Sequence, residues 1–90
     1  MLFETEQFRT QLPQPEAWSD SAFRYCEFSE INTEGAQVGS VFANCTIGRC
    51  EWYWGLFSGA IFVDVKFDNC TFRGTGFAST RFVDCEFVNC

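Results

Sequence analysis

From Phe42 onward an aromatic or branched apolar residue stands at every fifth position: Phe42, Ile47, Trp52, Phe57, Phe62, Phe67, Phe72, Phe77, Phe82 and Phe87. Two residues before each lies a small one, in order Ser40, Cys45, Cys50, Gly55, Ala60, Val65, Cys70, Thr75, Thr80 and Cys85, so the unit reads small-x-large-x-x. A step of five fits neither the 3.6-residue helix nor the two-residue alternation of a strand, so no single regular element can carry it. A coil with several short sides can. With one unit per side of a square, four units close a turn of twenty residues, in which the small and large residues point inward and the other three face solvent.

Units such as Ala60-Ile61-Phe62-Val63-Asp64, Cys70-Thr71-Phe72-Arg73-Gly74 and Thr80-Arg81-Phe82-Val83-Asp84 resemble the pentapeptide-repeat proteins. The resemblance covers about three quarters of the chain and implies an all-β fold, a right-handed quadrilateral β-helix. On this reading residues 1–20 are a short N-terminal capping segment or strap, and residues 21–90 are a solenoid of fourteen units, or three and a half coils. Each coil then buries its inner face on the next, so stability grows as a sum of neighbour terms.

The capping segment differs in kind. Phe3, Phe8, Trp18, Phe23 and Phe28 keep a five-residue step with Pro13 between, but Glu6, Gln11 and Glu16 occupy the small positions, where a dry interior does not accept them. The step ahead of Phe23 is therefore expected to be largely coincidental. Leu2 to Leu12 reads as a short amphipathic helix or strand ended by Leu12-Pro13-Gln14-Pro15. Its expected task is to cap the first coil, because a repeat array needs an atypical terminal unit.

Within the solenoid, Ile31-Asn32-Thr33-Glu34-Gly35 is a weak unit, and Ala36-Gln37-Val38-Gly39 is one residue short, since Phe28 and Phe42 are fourteen apart. Gly35 and Gly39 mark a distorted corner, where φ > 0 is cheap for glycine. Stacking by coil predicts four inward columns: Phe23, Phe42, Phe62, Phe82; Phe28, Ile47, Phe67, Phe87; Thr33, Trp52, Phe72; and Val38, Phe57, Phe77. The structural core is thus Phe42, Ile47, Trp52, Phe57, Phe62 and Phe67. A tryptophan overpacks against another aromatic, at ~1 to 3 kcal/mol, so Thr33 is expected to leave Trp52 its room.

Composition narrows the function. No run approaches the ~18 apolar residues of a membrane span, and Met-Leu-Phe-Glu-Thr-Glu lacks a basic region followed by an apolar one, so a cytosolic protein is expected. A net charge of −6 argues against direct phosphate contact with nucleic acid. The acid is concentrated in residues 1–34, where Glu4, Glu6, Glu16, Asp20, Glu27, Glu30 and Glu34 face only Arg9 and Arg24. Six cysteines fall into two small-residue columns: Cys26, Cys45 and Cys85 with Val65, and Cys50, Cys70 and Cys90 with Ile31. Their spacing matches no common zinc pattern, and the chain has no His. They read as reduced interior filler. Without His a Ser-His or Cys-His pair is impossible, and Asp64, Asp84, Asn44, Asn69 and Asn89 are corner residues suited to turns. No catalytic, cofactor or metal residue is assigned.

The partner-binding candidates are Tyr53 and Trp54, exposed aromatics stacked on Gly35 and Gly74, which would leave the faces of Trp54 open. Large aromatics in an open patch serve as binding anchors, unless the N-terminal segment folds over them. A second candidate patch is Val41, Ile61, Val63 and Val83, with Ala43, pointing outward on one side. Apolar surface of this kind is usually covered, here by a strap of Leu2, Phe3, Phe8 and Leu12 or by a second subunit. Phe72, Phe77, Phe82 and Phe87 floor the last coil and are candidates for an end-to-end homodimer, unless the ninety residues are a fragment of a longer array. The expected function is a non-enzymatic protein-protein interaction module with no direct nucleic-acid or membrane partner. The resemblance also implies an alternative, since quinolone-resistance members bind type II topoisomerase as acidic mimics of duplex DNA. Few coils and mixed surface charge set this chain apart from them. An immunity or accessory factor for a secreted toxin is a further alternative.

Overall fold

A computed structural model of the chain describes residues 2–10, 18–19 and 21–90. The described residues form short strands and no helix. In chain order these are β1 (Leu2–Glu4), β2 (Gln7–Arg9), β3 (Ala22–Arg24), β4 (Glu27–Ser29), β5 (Asn32–Glu34), β6 (Gln37–Val38), β7 (Val41–Ala43) and β8 (Thr46–Gly48). They continue with β9 (Glu51–Tyr53), β10 (Leu56–Ser58), β11 (Ile61–Val63), β12 (Lys66–Asp68), β13 (Thr71–Arg73), β14 (Gly76–Ala78), β15 (Arg81–Val83) and β16 (Glu86–Val88). Each strand is the middle of one five-residue unit. Because side chains alternate across a strand, the central large residue points in and its two neighbours point out.

All pairing is parallel and joins one coil to the next, giving a four-sided β-solenoid. The first side is the sheet β1-β3-β7-β11-β15, the second β2-β4-β8-β12-β16, the third β5-β9-β13 and the fourth β6-β10-β14. The four predicted columns are the observed registers, as in Phe42↔Phe62↔Phe82 and Thr33↔Trp52↔Phe72. Rings stack up each column at about the strand spacing of ~4.8 Å: Phe42 on Phe62 at 4.7 Å and Phe67 on Phe87 at 4.7 Å, tilted by 9° and 2°. The six core residues named from the repeat are all fully buried.

Among the described residues every unit ends in a residue with positive φ, from Thr5 and Thr10 to Asp84 and Asn89, except the short one. The residue missing from Ala36-Gln37-Val38-Gly39 is therefore the left-handed corner. Gly35 has positive φ, as expected, whereas Gly39 does not. Gly39 is glycine for a different reason: a Cβ there would lie 3.0 Å from the carbonyl oxygen of Ser58.

The N-terminal expectation is corrected. Phe3 and Phe8 are not coincidental; β1 and β2 continue the first and second sides in register, with Phe3↔Phe23 and Phe8↔Phe28. Phe3 stacks on Phe23 at 5.0 Å, and Phe8 is buried against Phe28 at 5.1 Å. Glu6 is tolerated in a small position because this is the outermost described coil, where its side chain is exposed. As far as it is described, the segment adds two sides of a further coil and is not a strap. Leu12, the Leu12-Pro13-Gln14-Pro15 break, Gln11 and Glu16 lie outside the described residues.

Trp18 is buried too. Its ring lies 5.9 Å from Phe28, 6.3 Å from Phe42 and 5.9 Å edge-on from Trp52, and its carbonyl accepts bonds from Gly39 N–H at 2.9 Å and Ser40 Oγ at 2.7 Å. So the space expected beside Trp52 does exist, and Trp18 reaches into it. Overpacking on the other side does not occur, since Trp52 lies flat on Phe72 at 5.2 Å and 4°.

The small positions hold more than filler. Cys45 Sγ donates to the carbonyl of Phe23 (3.4 Å), Cys70 Sγ to Ile47 (3.3 Å), Thr75 Oγ1 to Trp52 (3.1 Å), Thr80 Oγ1 to Phe57 (3.0 Å) and Cys85 Sγ to Phe62 (3.4 Å). Each thiol or hydroxyl reaches across to the backbone of a large residue in the preceding coil. All six cysteines are thiols, and burial pushes Cys45 up to about 11.

Candidate functional site

Trp54 is the corner between the third and fourth sides. Its φ is 57°, a conformation that costs an L-residue ~1 to 2 kcal/mol and that Asn, Asp or Gly would hold more cheaply. It is nonetheless the most exposed large hydrophobic side chain among the described residues, at 71%. The expectation that glycines leave both its faces open is half right. The six-membered part of the indole lies against Gly74, where a Cβ would collide with Cε3 and Cζ3, while Gly35 meets nothing within 4 Å. The ring is laid toward the last coil and uncovered toward Gly35.

Tyr53 is half-buried beside it. Its hydroxyl donates to the Glu51 carboxylate, a bond that holds the phenol's pKa above its usual value and the ring in place. Glu34 and Arg73 sit in register on either side of Tyr53.

Leu56, the first outward residue of β10, extends this corner and was missed by sequence reasoning. It is exposed, with Cδ1 3.4 Å from where a Gly76 Cβ would stand. The available signal was the glycine one coil on: Trp54 has Gly74 and Leu56 has Gly76, each twenty residues later. Both large side chains lean on a bare backbone.

The N-terminal segment does not cover this corner as far as it is described, because β1 and β2 belong to the first and second sides. Nor does it cover the first-side patch. Leu2 joins that patch as another outward, exposed residue, Phe3 and Phe8 point inside, and Val41 and Val83 are exposed with Ile61 and Val63 half-buried. The patch is small: five strands at ~4.8 Å by two outward columns of ~7 Å each give roughly 340 Å², part of it taken by Glu4, Arg24 and Arg81, against ~800 Å² per partner in a stable interface.

At the far end Phe77, Phe82 and Phe87 are exposed and Phe72 is half-buried, so the last coil presents an aromatic floor. Charge elsewhere is mixed. Glu30 is held by Arg9 (3.2 Å) and Arg49 (3.6 Å), and Arg24 lies 3.8 Å from Glu4. Asp64 and Asp84 both occupy positive-φ corners, in keeping with their reading as turn residues. Among the described residues no three Cys, Asp or Glu side chains are grouped as a metal ion requires.

No family model matches the chain, and no curated protein matches it. Among solved structures it is similar to full-length QnrB1, a plasmid-mediated fluoroquinolone resistance protein, at 11% identity and a TM-score of 0.44. The match covers 89% of this chain and 48% of that one, so the chain spans about half the length of that protein.

Proposed function

We propose that the chain is a non-enzymatic protein-protein interaction module, a pentapeptide-repeat scaffold that presents the Tyr53, Trp54 and Leu56 corner to a partner protein. One observation carries the reading. A large indole occupies a strained left-handed corner yet buries little of its own surface, so its side chain costs conformational energy without a matching gain in core packing. Exposed tryptophans of this kind act as anchors when a partner desolvates them. The first-side patch of Val41, Ile61, Val63 and Val83 is too small to act alone and serves as an adjunct.

The test is partner capture from the native cell, with wild type and Trp54→Ala as baits and the captured protein identified by mass spectrometry. Loss of the captured protein with a melting temperature unchanged within ~0.5 kcal/mol of stability supports the reading. Retained capture, or a sharp loss of stability, refutes it.

Topoisomerase mimicry is the weaker reading, because the acids nearest the N-terminal coils are partly neutralised by Arg9, Arg24 and Arg49. It is tested by asking whether micromolar protein protects purified gyrase from a quinolone. For the ninety-residue chain we also propose two-fold end-to-end pairing through Phe72, Phe77, Phe82 and Phe87, which hides one exposed floor against another. Light scattering at ~100 μM should then show a dimer that Phe87→Glu converts to monomer or aggregate. A monomeric wild type at that concentration refutes the pairing.

A further inference from the structure

We infer that the Trp54 corner is a receptor for a cationic side chain, a Lys or Arg carried by the partner protein. The inference rests on the interaction reading above and names the chemistry of what docks there. Three features meet at the corner. The indole is laid on Gly74 and uncovered toward Gly35, so its open surface faces the N-terminal coils. The floor on that side is the bare backbone of Gly35, which leaves space for an incoming chain. The wall is acidic: Glu34, exposed and preceding Gly35, stacks in register on Tyr53, and Glu51 lies in the same strand as Tyr53.

The charges are also divided in a way that selects the approach. Arg9, Arg24 and Arg49 are engaged with Glu30 and Glu4, whereas Glu34 makes no ion pair among the described residues. Arg73 adjoins Gly74, on the side the indole already covers. A cation arriving from the Gly35 side thus meets an aromatic surface and an unpaired carboxylate together, and one arriving from the Gly74 side meets a guanidinium. A positive charge over an indole is attracted by its ring quadrupole, and tryptophan is the strongest such partner. An anionic or purely apolar ligand would leave Glu34 opposed or unused.

The experiment is an NMR titration of the isotopically labelled ninety-residue chain with acetylated hexa-arginine amide, using hexa-glutamate and a Gly-Ser hexamer as controls. The expected result is movement of the Trp54 indole N–H and of the Glu34 and Gly35 amides with hexa-arginine alone. Affinity read from the Glu34 and Gly35 amides should fall about two- to fivefold in Trp54→Ala, and should also fall in Glu34→Gln, whose folded spectrum serves as the control for structure. Equal shifts at remote acids such as Glu6 and Glu27, with affinity unchanged in Trp54→Ala, overturn the inference, as does equal binding of the Gly-Ser hexamer. If Trp54 is required for partner capture but not for hexa-arginine binding, the cation inference falls and the anchor reading stands. If capture survives Trp54→Ala, the anchor reading falls whatever the peptide does.

Discussion

Truncating Phe67 to alanine removes the centre of a column. Its ring lies flat under Phe87 at 4.7 Å, in register with Ile47 on the other side, and meets Phe62, Phe72 and Phe82 edge-on at 5.3, 6.0 and 6.1 Å. It is 1% exposed, so nearly all of its surface is spent on these contacts. A buried Phe→Ala change costs ~3 to 5 kcal/mol, against a whole-domain stability of about 5 to 13 kcal/mol for a chain of this length. With a urea m value of about 2 kcal/mol/M, the denaturation midpoint should drop by ~2 M. Lys66, its neighbour in β12, points outward, and Lys66→Ala should stay within ~0.5 kcal/mol. Phe8→Ala extends the comparison to the N-terminal coil, where burial predicts a loss of ~2 kcal/mol or more. Midpoints for Phe67→Ala and Lys66→Ala that agree within error would refute the inward five-residue register, and a neutral Phe8→Ala would remove residues 2–9 from the stack.

Two further predictions concern polar groups in the interior. Thr33 Oγ1 is buried with no hydrogen-bond partner, and an unsatisfied buried hydroxyl costs ~1 to 3 kcal/mol; the near-isosteric Thr33→Val should therefore leave the melting temperature unchanged or raise it, and a clear loss of stability would mean the hydroxyl has a partner. Cys45 is raised from 9.0 to about 11, so the folded state keeps a proton that the unfolded chain has lost. Stability from this group is complete below about pH 9 and is lost as the pH rises through about 11. Cys45→Ser, which keeps a donor for the Phe23 carbonyl, should show a smaller fall in urea midpoint between pH 8 and 10.5 than wild type; parallel curves would exclude the buried neutral thiol.

The repeat made the solenoid legible because a five-residue step needs only residue size to be recognised, and the inward columns follow from counting. The short unit was visible as a missing residue, but not which one, since the loss of a left-handed corner is a backbone fact. Glu6 hid the first coil: a glutamate is excluded from a small position only where another coil stacks over it, and exposure at the end of an array does not show in residue type. Trp18 was hidden in the same way, being inward without a standard unit around it. The cross-coil donors could have been found, because Ser40, Cys45, Cys70, Thr75, Thr80 and Cys85 are small and also carry a hydrogen to donate. At the candidate site the exposed Trp54 followed from its place in the unit, whereas the direction in which its ring lies depends on the Gly74 contact.

The coil itself is tested most directly by ring-to-ring nuclear Overhauser effects among assigned phenylalanines. The account predicts that Phe62 contacts both Phe42 and Phe82, each twenty residues away, while Phe23 and Phe42 make the same contact at a separation of nineteen, across the short unit. Their centroids lie 4.7, 5.1 and 4.9 Å apart, within range of the method. Contacts at those separations, shortened by one only where Ala36-Gln37-Val38-Gly39 intervenes, are the expected result. Long-range contacts in the mirrored order of hairpins, in which the sum of residue numbers and not their difference is constant, would contradict a stacked parallel coil.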